Sequence, residues 1–424
     1  MKDTVAIIGL GYVGLPLAVL AAKKGYSVVG VLRDTTKMNL INGGKSPIED
    51  EYISDNLTPN LINATIDYSA IRTASTIIIC VPTPVHENNL PDLEPVISAT
   101  KSIAEHLQKG QLVILESTVN PGVCDTVVQP ILERMSGLRC GIDFDLAHCP
   151  ERINPGDPKW NVSNISRVVG GYTLEGTSRA ADFYRTIISG EIKEMNSLKE
   201  AEAVKVVENS FRDINIAFVN ELARSFSVLG IDVVNVINGA ATKPFAFMPH
   251  YPGCGVGGHC ISVDPYYLIE YARANGFTHK FLSLAREINN DMPHFTVQQL
   301  LTGAREAKLQ VSEIEVALLG LAYKGNIDDD RESPSYEIIE ELQRWGIKLR
   351  TYDPHLPRKS SVASLDKALQ GAAAVLFITA HDEFKKLTPS RLVKYGAKVV
   401  VDGRNMLDKQ AVQDAGLVYK GIGR

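Results

Sequence analysis

The sequence predicts an α/β protein with two doubly wound, Rossmann-type domains joined by a helical segment. Three observations predict it. Short apolar runs alternate with helical patterns in the first half of the chain and again in the last third. A glycine fingerprint stands between the first strand and the first helix. Between the alternating regions lies a stretch, Leu198–Leu229, with neither Gly nor Pro. At 424 residues the chain is too long for one ordinary domain, and two or three are expected. The predicted division is 1–196, 197–305 and 306–424.

In the first region residues 4–9, 27–32, 76–82, 111–118 and 143–148 read as buried strands. Their continuous apolar character suits a parallel sheet covered by helices on both faces. Leu198–Leu229 reads as one helix of about 45 Å. Apolar residues fall on most of its faces: Val204, Val207, Phe211, Ile214, Phe218, Leu222 and Phe226. Such a helix is expected to be buried between domains and against a second copy of the chain. The central segment is therefore read as a helical dimerisation domain, giving a homodimer or a higher oligomer built from it. In the last region 315–321, 348–352, 374–379 and 398–402 read as strands, and 334–345 as a helix closed by Gly346. This second Rossmann-like α/β domain has no glycine fingerprint.

Composition narrows the function classes. Hydrophobic residues make up 45% and charged residues 22%, with a net charge of −5. That balance argues against a nucleic-acid or anionic-membrane partner. The N-terminus has no basic lead or small-residue cleavage site and reads as strand, turn and helix. No apolar run is long enough to span a membrane. The six cysteines, Cys80, Cys124, Cys140, Cys149, Cys254 and Cys260, contain no C-x-x-C pair. Neither a zinc ribbon nor a redox motif is read, no metal is expected, and a reduced, cytoplasmic setting follows.

Gly9-Leu10-Gly11-Tyr12-Val13-Gly14 closes a strand and opens a helix. Gly9 permits the tight turn, Gly11 lets the backbone approach a pyrophosphate, and Gly14 allows close helix–strand packing. Amide groups at the helix start would hold the phosphates of a dinucleotide. A carboxylate for the ribose hydroxyls belongs at the end of the second strand, but Leu32 stands there. Asp34 is placed to substitute from further along the loop. Arg33 is alternatively placed to face a 2′-phosphate. Both are also readable as solvated loop charges. NAD is the expected cofactor, with NADP as the alternative.

The most informative loop runs from Lys243 to Cys260, with Asp264 beyond it. Glycines crowd before Cys260, where a backbone can pass close to a ligand. Asp264-Pro265 starts a helical pattern, so Cys260 lies just before a helix N-terminus that favours a thiolate. The plainer readings are a small buried thiol for Cys260 and an N-cap for Asp264. His259 adjoins Cys260 but, as a neighbour on an extended loop, is expected to point away.

At this loop the chain resembles the UDP-glucose/GDP-mannose dehydrogenase family. The resemblance covers nearly the whole chain. It rests on residues 8–16, 80–84, 116–119, 150–152, 202–205 through Asn209, 257–260 with Asp264, and 320–324 through Asp329, Arg331, Ser333 and Pro334. Residues 243–253 and 330–335 look most like the UDP-N-acetylglucosamine 6-dehydrogenase branch. Leu32 and Cys254 depart from the pattern, which has Asp and, in this branch, Pro.

The resemblance implies an NAD-dependent, four-electron oxidation of the C6 alcohol of a UDP-N-acetylhexosamine to the uronic acid, serving polysaccharide biosynthesis. UDP-N-acetylglucosamine is the expected substrate. UDP-N-acetylmannosamine, UDP-N-acetylgalactosamine and UDP-glucose are alternatives. Cys260 is then the nucleophile that carries a thiohemiacetal and a thioester. Lys205 and Asn209, four apart on one helix face, stabilise oxyanions. Asp264 works with Lys205 and a water that Thr118 holds, and Glu151 assists hydrolysis. The resemblance adds Pro82, Thr83 and Thr118 to the cofactor set. It assigns Glu151, Arg152, Lys205, Asn209, Lys243, Phe247, Tyr251, Gly257, Lys324 and Arg404 to the substrate. Arg331 is read only as an ion-pair partner. A simple β-hydroxyacid dehydrogenase is the rival reading, but it needs neither the thiol nor residues 310–424.

Overall fold

The computed structural model describes residues 3–48, 50–84, 91–153, 159–258, 260–311 and 314–424, so His259 lies outside it. The chain packs as two compact units. One comprises Met1–Glu208 with Tyr266–Gly276, the other Asn209–Pro265 with Phe277–Arg424.

The first unit is built on a sheet of eight strands: β1 Thr4–Ile8, β2 Ser27–Val31, β3 Asn63–Thr65, β4 Thr76–Ile79, β5 Leu112–Leu115, β6 Asp145–His148, β7 Arg167–Gly171 and β8 Ile192–Glu194. Their order is β3-β2-β1-β4-β5-β6-β7-β8. Neighbours run parallel except β6 and β7. Alternate residues face opposite cores. Val5, Ile78, Leu112 and Ile114 enter one, Ala6, Ile77, Val113 and Leu115 the other. A strand buried on both faces has no room for polar residues, which is why these runs read as unbroken apolar stretches. Each fully buried Val, Leu or Ile side chain contributes roughly 1.5–3 kcal/mol. The order reverses at β1, so the crevice beyond the carboxyl ends of β1 and β4 is where a ligand is expected.

The second unit holds β9 Glu315–Leu319, β10 Lys348–Tyr352, β11 Ala374–Phe377, β12 Val399–Asp402 and β13 Val418–Gly421. They pair in parallel in the order β10-β9-β11-β12-β13. Val316 and Leu318 face one core, Ala317 and Leu319 the other. The α/β class with two Rossmann-like sheets is therefore what the chain adopts.

Several sequence runs extend past the strands they announce. Residues 80–82, 116–118 and 320–321 are loop, not strand. Cys80, Glu116, Ser117 and Leu321 in these stretches are nonetheless buried, so the loop roots continue the sheet's interior. β3, β7, β8 and β13 carry no clear run, since each is short or mixes Gly and charged residues with apolar ones.

The long helix spans Leu198–Leu229, as its sequence predicts. It is expected to be buried between domains and against a second copy, and within the single chain only part of it is covered. Val219 and Ala223 enter a core with Val233, Ile237 and Met292. Val207, Phe211 and Phe218 are 53%, 50% and 53% exposed. Their spacing places them on one helix face. Among the described residues no helix is long and apolar enough to cross a membrane.

Candidate active site

The glycine turn at the end of β1 separates two kinds of requirement. Gly9 has φ +94°, and its amide donates to Val31 O at 2.8 Å. A Cβ on Gly9 would come 2.7 Å from Cys80 O, and one on Gly14 would come 1.9 Å from Gly9 O. The packing of the chain itself demands glycine at both. A Cβ on Gly11 would meet nothing within 4 Å. Among the described residues no neighbour forbids a side chain there, so its absence fits the close approach of a ligand. The following helix, Gly14–Lys23, has no side-chain cap at Val13 and no acid in its first turn. The positive end of this helix is therefore not neutralised by the chain's own side chains, which suits the pyrophosphate of a dinucleotide.

The other expected cofactor residues lie on the loops after β1, β4 and β5. Tyr12 and Pro82 are exposed, Thr83 is buried and Thr118 is partly buried. Thr83 O accepts from Tyr267 Oη at 2.8 Å, and Ser117 Oγ donates to Val81 O at 2.7 Å. At the end of β2, Leu32 packs against the core. Asp34 caps the helix Thr35–Asn42, its Oδ1 accepting from Thr36 N at 2.8 Å and Lys37 N at 3.0 Å. Arg33 Nη2 donates to Ser98 Oγ at 3.0 Å. Capping fixes the Asp34 carboxylate at its own helix start, and sequence alone does not reveal that commitment.

In the same unit Glu151 and Lys205 lie near enough for the ammonium to act on the carboxylate. Lys205 is only 8% exposed on the long helix. Burial pushes the Glu151 carboxyl above its ordinary range, and the Lys205 ammonium opposes the shift. Glu151 Oε1 also accepts the Ile153 amide. Arg152, expected at the substrate, is engaged elsewhere: its guanidinium forks onto Glu208 at 2.5 and 3.2 Å and reaches Ser166 O at 2.9 Å. Beneath the Glu151 turn, Glu116 and Arg167 form a fully buried pair at 2.8 Å, and Tyr184 Oη donates to the same carboxylate oxygen at 2.6 Å. Glu202, three residues before Lys205, accepts the amides of Gly122 at 2.5 Å and Cys124 at 2.8 Å. It thereby pins the loop that follows Thr118. The ligand atoms of Cys124, His148 and Glu202 lie within 4.8 Å of one another. Both Glu202 oxygens already take amides and Cys124 Sγ faces His148 Nδ1 at 3.9 Å, a grouping that hydrogen bonding explains without an ion.

In the second unit the thiol loop is built around its glycines. Of the six cysteines Cys260 alone is exposed, and the other five are buried. Burial pushes the Cys140 and Cys149 thiols up to about 12, which leaves them inert as nucleophiles. A Cβ on Gly257 would sit 2.6 Å from Glu332 O and 2.7 Å from Tyr323 Cβ, and one on Gly258 2.7 Å from Tyr323 Cε2. Gly258 N donates to Arg331 O at 2.9 Å. The glycines thus let the loop seat flush on Tyr323 and the 331–332 backbone. Cys260 O accepts from Asp264 N at 2.9 Å, a turn that leads into the helix Asp264–Ala274. Asp264 is the first residue of that helix. Its carboxylate is 3% exposed and accepts from Asn209 Nδ2 at 2.5 Å.

Of the remaining substrate candidates, Lys243 is exposed and sits over the Phe245 ring at 4.8 Å. Phe247 packs into the core of its unit, and Tyr251 Oη donates to Asn238 Oδ1 at 2.8 Å. Lys324 is exposed beside Tyr323. Arg404 Nε donates to Ile378 O at 2.7 Å, and its Nη2 approaches Tyr323 O at 3.5 Å. Arg331 pairs with Asp329 at 2.6 Å, the ion pair read from the sequence. Tyr323 is the site neighbour that sequence reasoning missed, although it lies inside a quoted motif.

Comparison with known proteins identifies the family. Profiles of the UDP-glucose/GDP-mannose dehydrogenase family match residues 3–188 (NAD binding domain), 199–291 (central domain) and 317–409 (UDP binding domain). The chain is 37% identical to a UDP-N-acetyl-D-mannosamine dehydrogenase of Pyrococcus horikoshii, over 99% of both chains. It is also 37% identical to a UDP-N-acetyl-D-glucosamine 6-dehydrogenase of Pseudomonas aeruginosa, over 96% of this chain and 98% of that one. A solved structure of the Pyrococcus horikoshii UDP-D-ManNAc dehydrogenase superposes with a TM-score of 0.92 at 36% identity, covering 99% of each chain. With all three profiles matched in order and full-length relatives at this identity, the chain belongs to the UDP-glucose/GDP-mannose dehydrogenase family of NAD-dependent oxidoreductases.

Proposed function

We propose that this enzyme oxidises the C6 alcohol of a UDP-N-acetylhexosamine to the carboxylate in two hydride removals, with Cys260 as the covalent nucleophile. The single observation that carries the reading is the exposed thiol on its glycine-built loop, one turn before the buried Asp264 that Asn209 donates to. NAD supplies the chemistry of accepting each hydride. The first oxidation gives an aldehyde at C6. Cys260 adds through sulfur to that carbon, and the proton passes to the new oxyanion, giving a thiohemiacetal. The second oxidation leaves a thioester. Water adds, the C–S bond breaks, and the thiol is restored with release of the carboxylate. The adduct keeps a reactive aldehyde from escaping and presents a tetrahedral carbon to oxidation.

Lys205 and Asn209 stabilise the oxygen that gains charge, one by its ammonium and one by its amide. Asp264 orients Asn209 and exchanges protons with a water that Thr118 holds. Glu151 draws a proton from the hydrolytic water. The thiol must stay reduced, which supports a cytoplasmic setting. The three-domain division at 196 and 305 belongs to this proposal, and the three family profiles each fall within one segment.

The sugar we favour is UDP-N-acetylglucosamine, on residues 243–253 and 330–335. UDP-N-acetylmannosamine is favoured equally by a relative of that specificity at the same identity. A panel of UDP-N-acetylglucosamine, UDP-N-acetylmannosamine, UDP-N-acetylgalactosamine and UDP-glucose decides, read as cofactor reduced per sugar. Two equivalents are expected, and one equivalent would leave only a simple alcohol dehydrogenase. The same assay tests the cofactor. Leu32 offers no carboxylate to the ribose, and losing such a charged hydrogen bond costs about 1.5–3 kcal/mol, or roughly ten- to a hundred-fold in affinity. NAD is expected to bind weakly with poor discrimination against NADP, and Leu32→Asp to tighten NAD and sharpen the preference. No change in Leu32→Asp would mean that other groups hold the ribose.

The half-exposed Val207, Phe211 and Phe218 face is too apolar to leave in water, and we place a homodimer contact there. Sedimentation at micromolar concentration is expected to give a dimer; a stable monomer would remove this contact.

A further inference from the structure

We infer that Asp353 and His381 are positioning residues for the nucleotide-sugar: together they clamp both ends of the segment 321–326 that presents Tyr323 and Lys324. The inference rests on the reading of Lys324 as a nucleotide-sugar contact.

The clamp is a single carboxylate and a single ring, both fully buried in the second unit. Asp353 Oδ2 accepts the amides of Leu321 at 2.7 Å and Ala322 at 2.9 Å, and lies 3.0 Å from His381 Nε2. His381 Nδ1 accepts the amide of Asn326 at 2.9 Å. That contact assigns the proton to Nε2, so the ring bridges Asp353 to the far end of the segment. Asp353 Oδ1 takes two further amides, His355 at 2.8 Å and Leu356 at 3.2 Å. Burial opposes the charge on Asp353, but the His381 ring and the Ala322 and Leu321 amides pull its carboxyl down to about 2. The His355 ring stacks on His381 at 4.8 Å, and Phe384 meets it edge-on at 5.3 Å, which leaves the imidazole no other orientation.

Further bonds hold the segment in one shape. Thr379 Oγ1 donates to Ala322 O, and Ser335 Oγ donates to Leu321 O at 3.1 Å. Asn326, at φ +63°, exchanges two hydrogen bonds with Asp382 at 2.9 and 3.0 Å. Between these anchors stand Tyr323, the platform on which Gly257 and Gly258 of the thiol loop rest, and the exposed Lys324. A loop ordered before the ligand arrives does not have to be ordered by it, and the saving appears as affinity.

The test is UDP binding by calorimetry, since UDP is common to every candidate substrate. His381→Ala is expected to weaken UDP roughly tenfold, the scale of losing a buried hydrogen-bond relay, while NAD binding stays near the parent value. His381→Gln, whose amide keeps one acceptor and one donor, is expected to recover part of the loss. With saturating sugar, kcat should change far less than KM. If Lys324→Ala weakens UDP but His381→Ala binds it within about twofold of the parent, the clamp is overturned and the Lys324 reading stands. If Lys324→Ala leaves UDP binding unchanged, the Lys324 reading falls and the clamp's role with it. Should His381→Ala fail to fold, amide exchange on the unaltered enzyme decides. Leu321, Ala322 and Asn326 amides are expected to exchange slowly without UDP, and protection appearing only on UDP addition would overturn the inference.

Discussion

Cys260→Ala is expected to stop uronate production, with a loss on the order of 10⁴-fold or more, the scale that follows removal of a covalent nucleophile. The first oxidation does not need sulfur, so a single turnover should still reduce one equivalent of cofactor and release aldehyde. The reasons are local. Cys260 is the one exposed thiol, the glycines before it let the loop lie against Tyr323, and the helix Asp264–Ala274 begins four residues on. Cys260→Ser should also fail in overall turnover and is expected to accumulate an ester, because an alkoxide leaves less readily than a thiolate. The measurement is cofactor reduced and carboxylate formed per sugar, with intact-mass analysis for the adduct. Full uronate production by Cys260→Ala would sink the covalent route.

The second large effect is expected from Glu151→Gln. Removing a general base costs typically 10²–10⁴-fold in the step it serves, and here that step is hydrolysis alone. The variant should therefore reduce two equivalents of cofactor per active site in a burst, then stall with a thioester on Cys260 visible by mass. The parent's pH profile tests the same group. Burial raises the Glu151 carboxyl against the pull of Lys205. Only the ionised form takes a proton, so hydrolysis should fall as pH drops through a value above the ordinary Glu range, and Gln should abolish that limb. A variant with parental steady-state rate and no adduct would show that another group activates the water.

Much of this was legible along the chain. Residues 4–8 and 315–319 announce buried parallel strands because both faces of each sheet are covered and every position must be apolar. The long helix was readable to its ends because 32 residues without a Gly or Pro break are too long a run for a strand. Gly9 and Gly14 could be assigned their roles from spacing alone, since their constraint is the turn itself.

Other features depend on contacts between segments far apart in sequence, which periodicity does not encode. Asp34 reads equally well as a ribose ligand or a loop charge until the amides of Thr36 and Lys37 are seen on it. Arg152 reads as a substrate contact, and nothing in its spacing announces the ion pair it makes with Glu208. The long helix reads as apolar on most of its faces, yet one face stays uncovered within a single chain, because an apolar residue signals that burial is wanted and not by what. Nothing around His381 or Asp353 in the sequence marks them as a pair, 28 residues apart. The sequence by itself determined the layers, the fingerprint turn and the candidate nucleophile, all of which follow from local spacing and side-chain chemistry. Only the tertiary structure decided which charges are committed to caps and ion pairs and which loops are held in advance of a ligand, because a hydrogen bond depends on distance in space and not on separation along the chain.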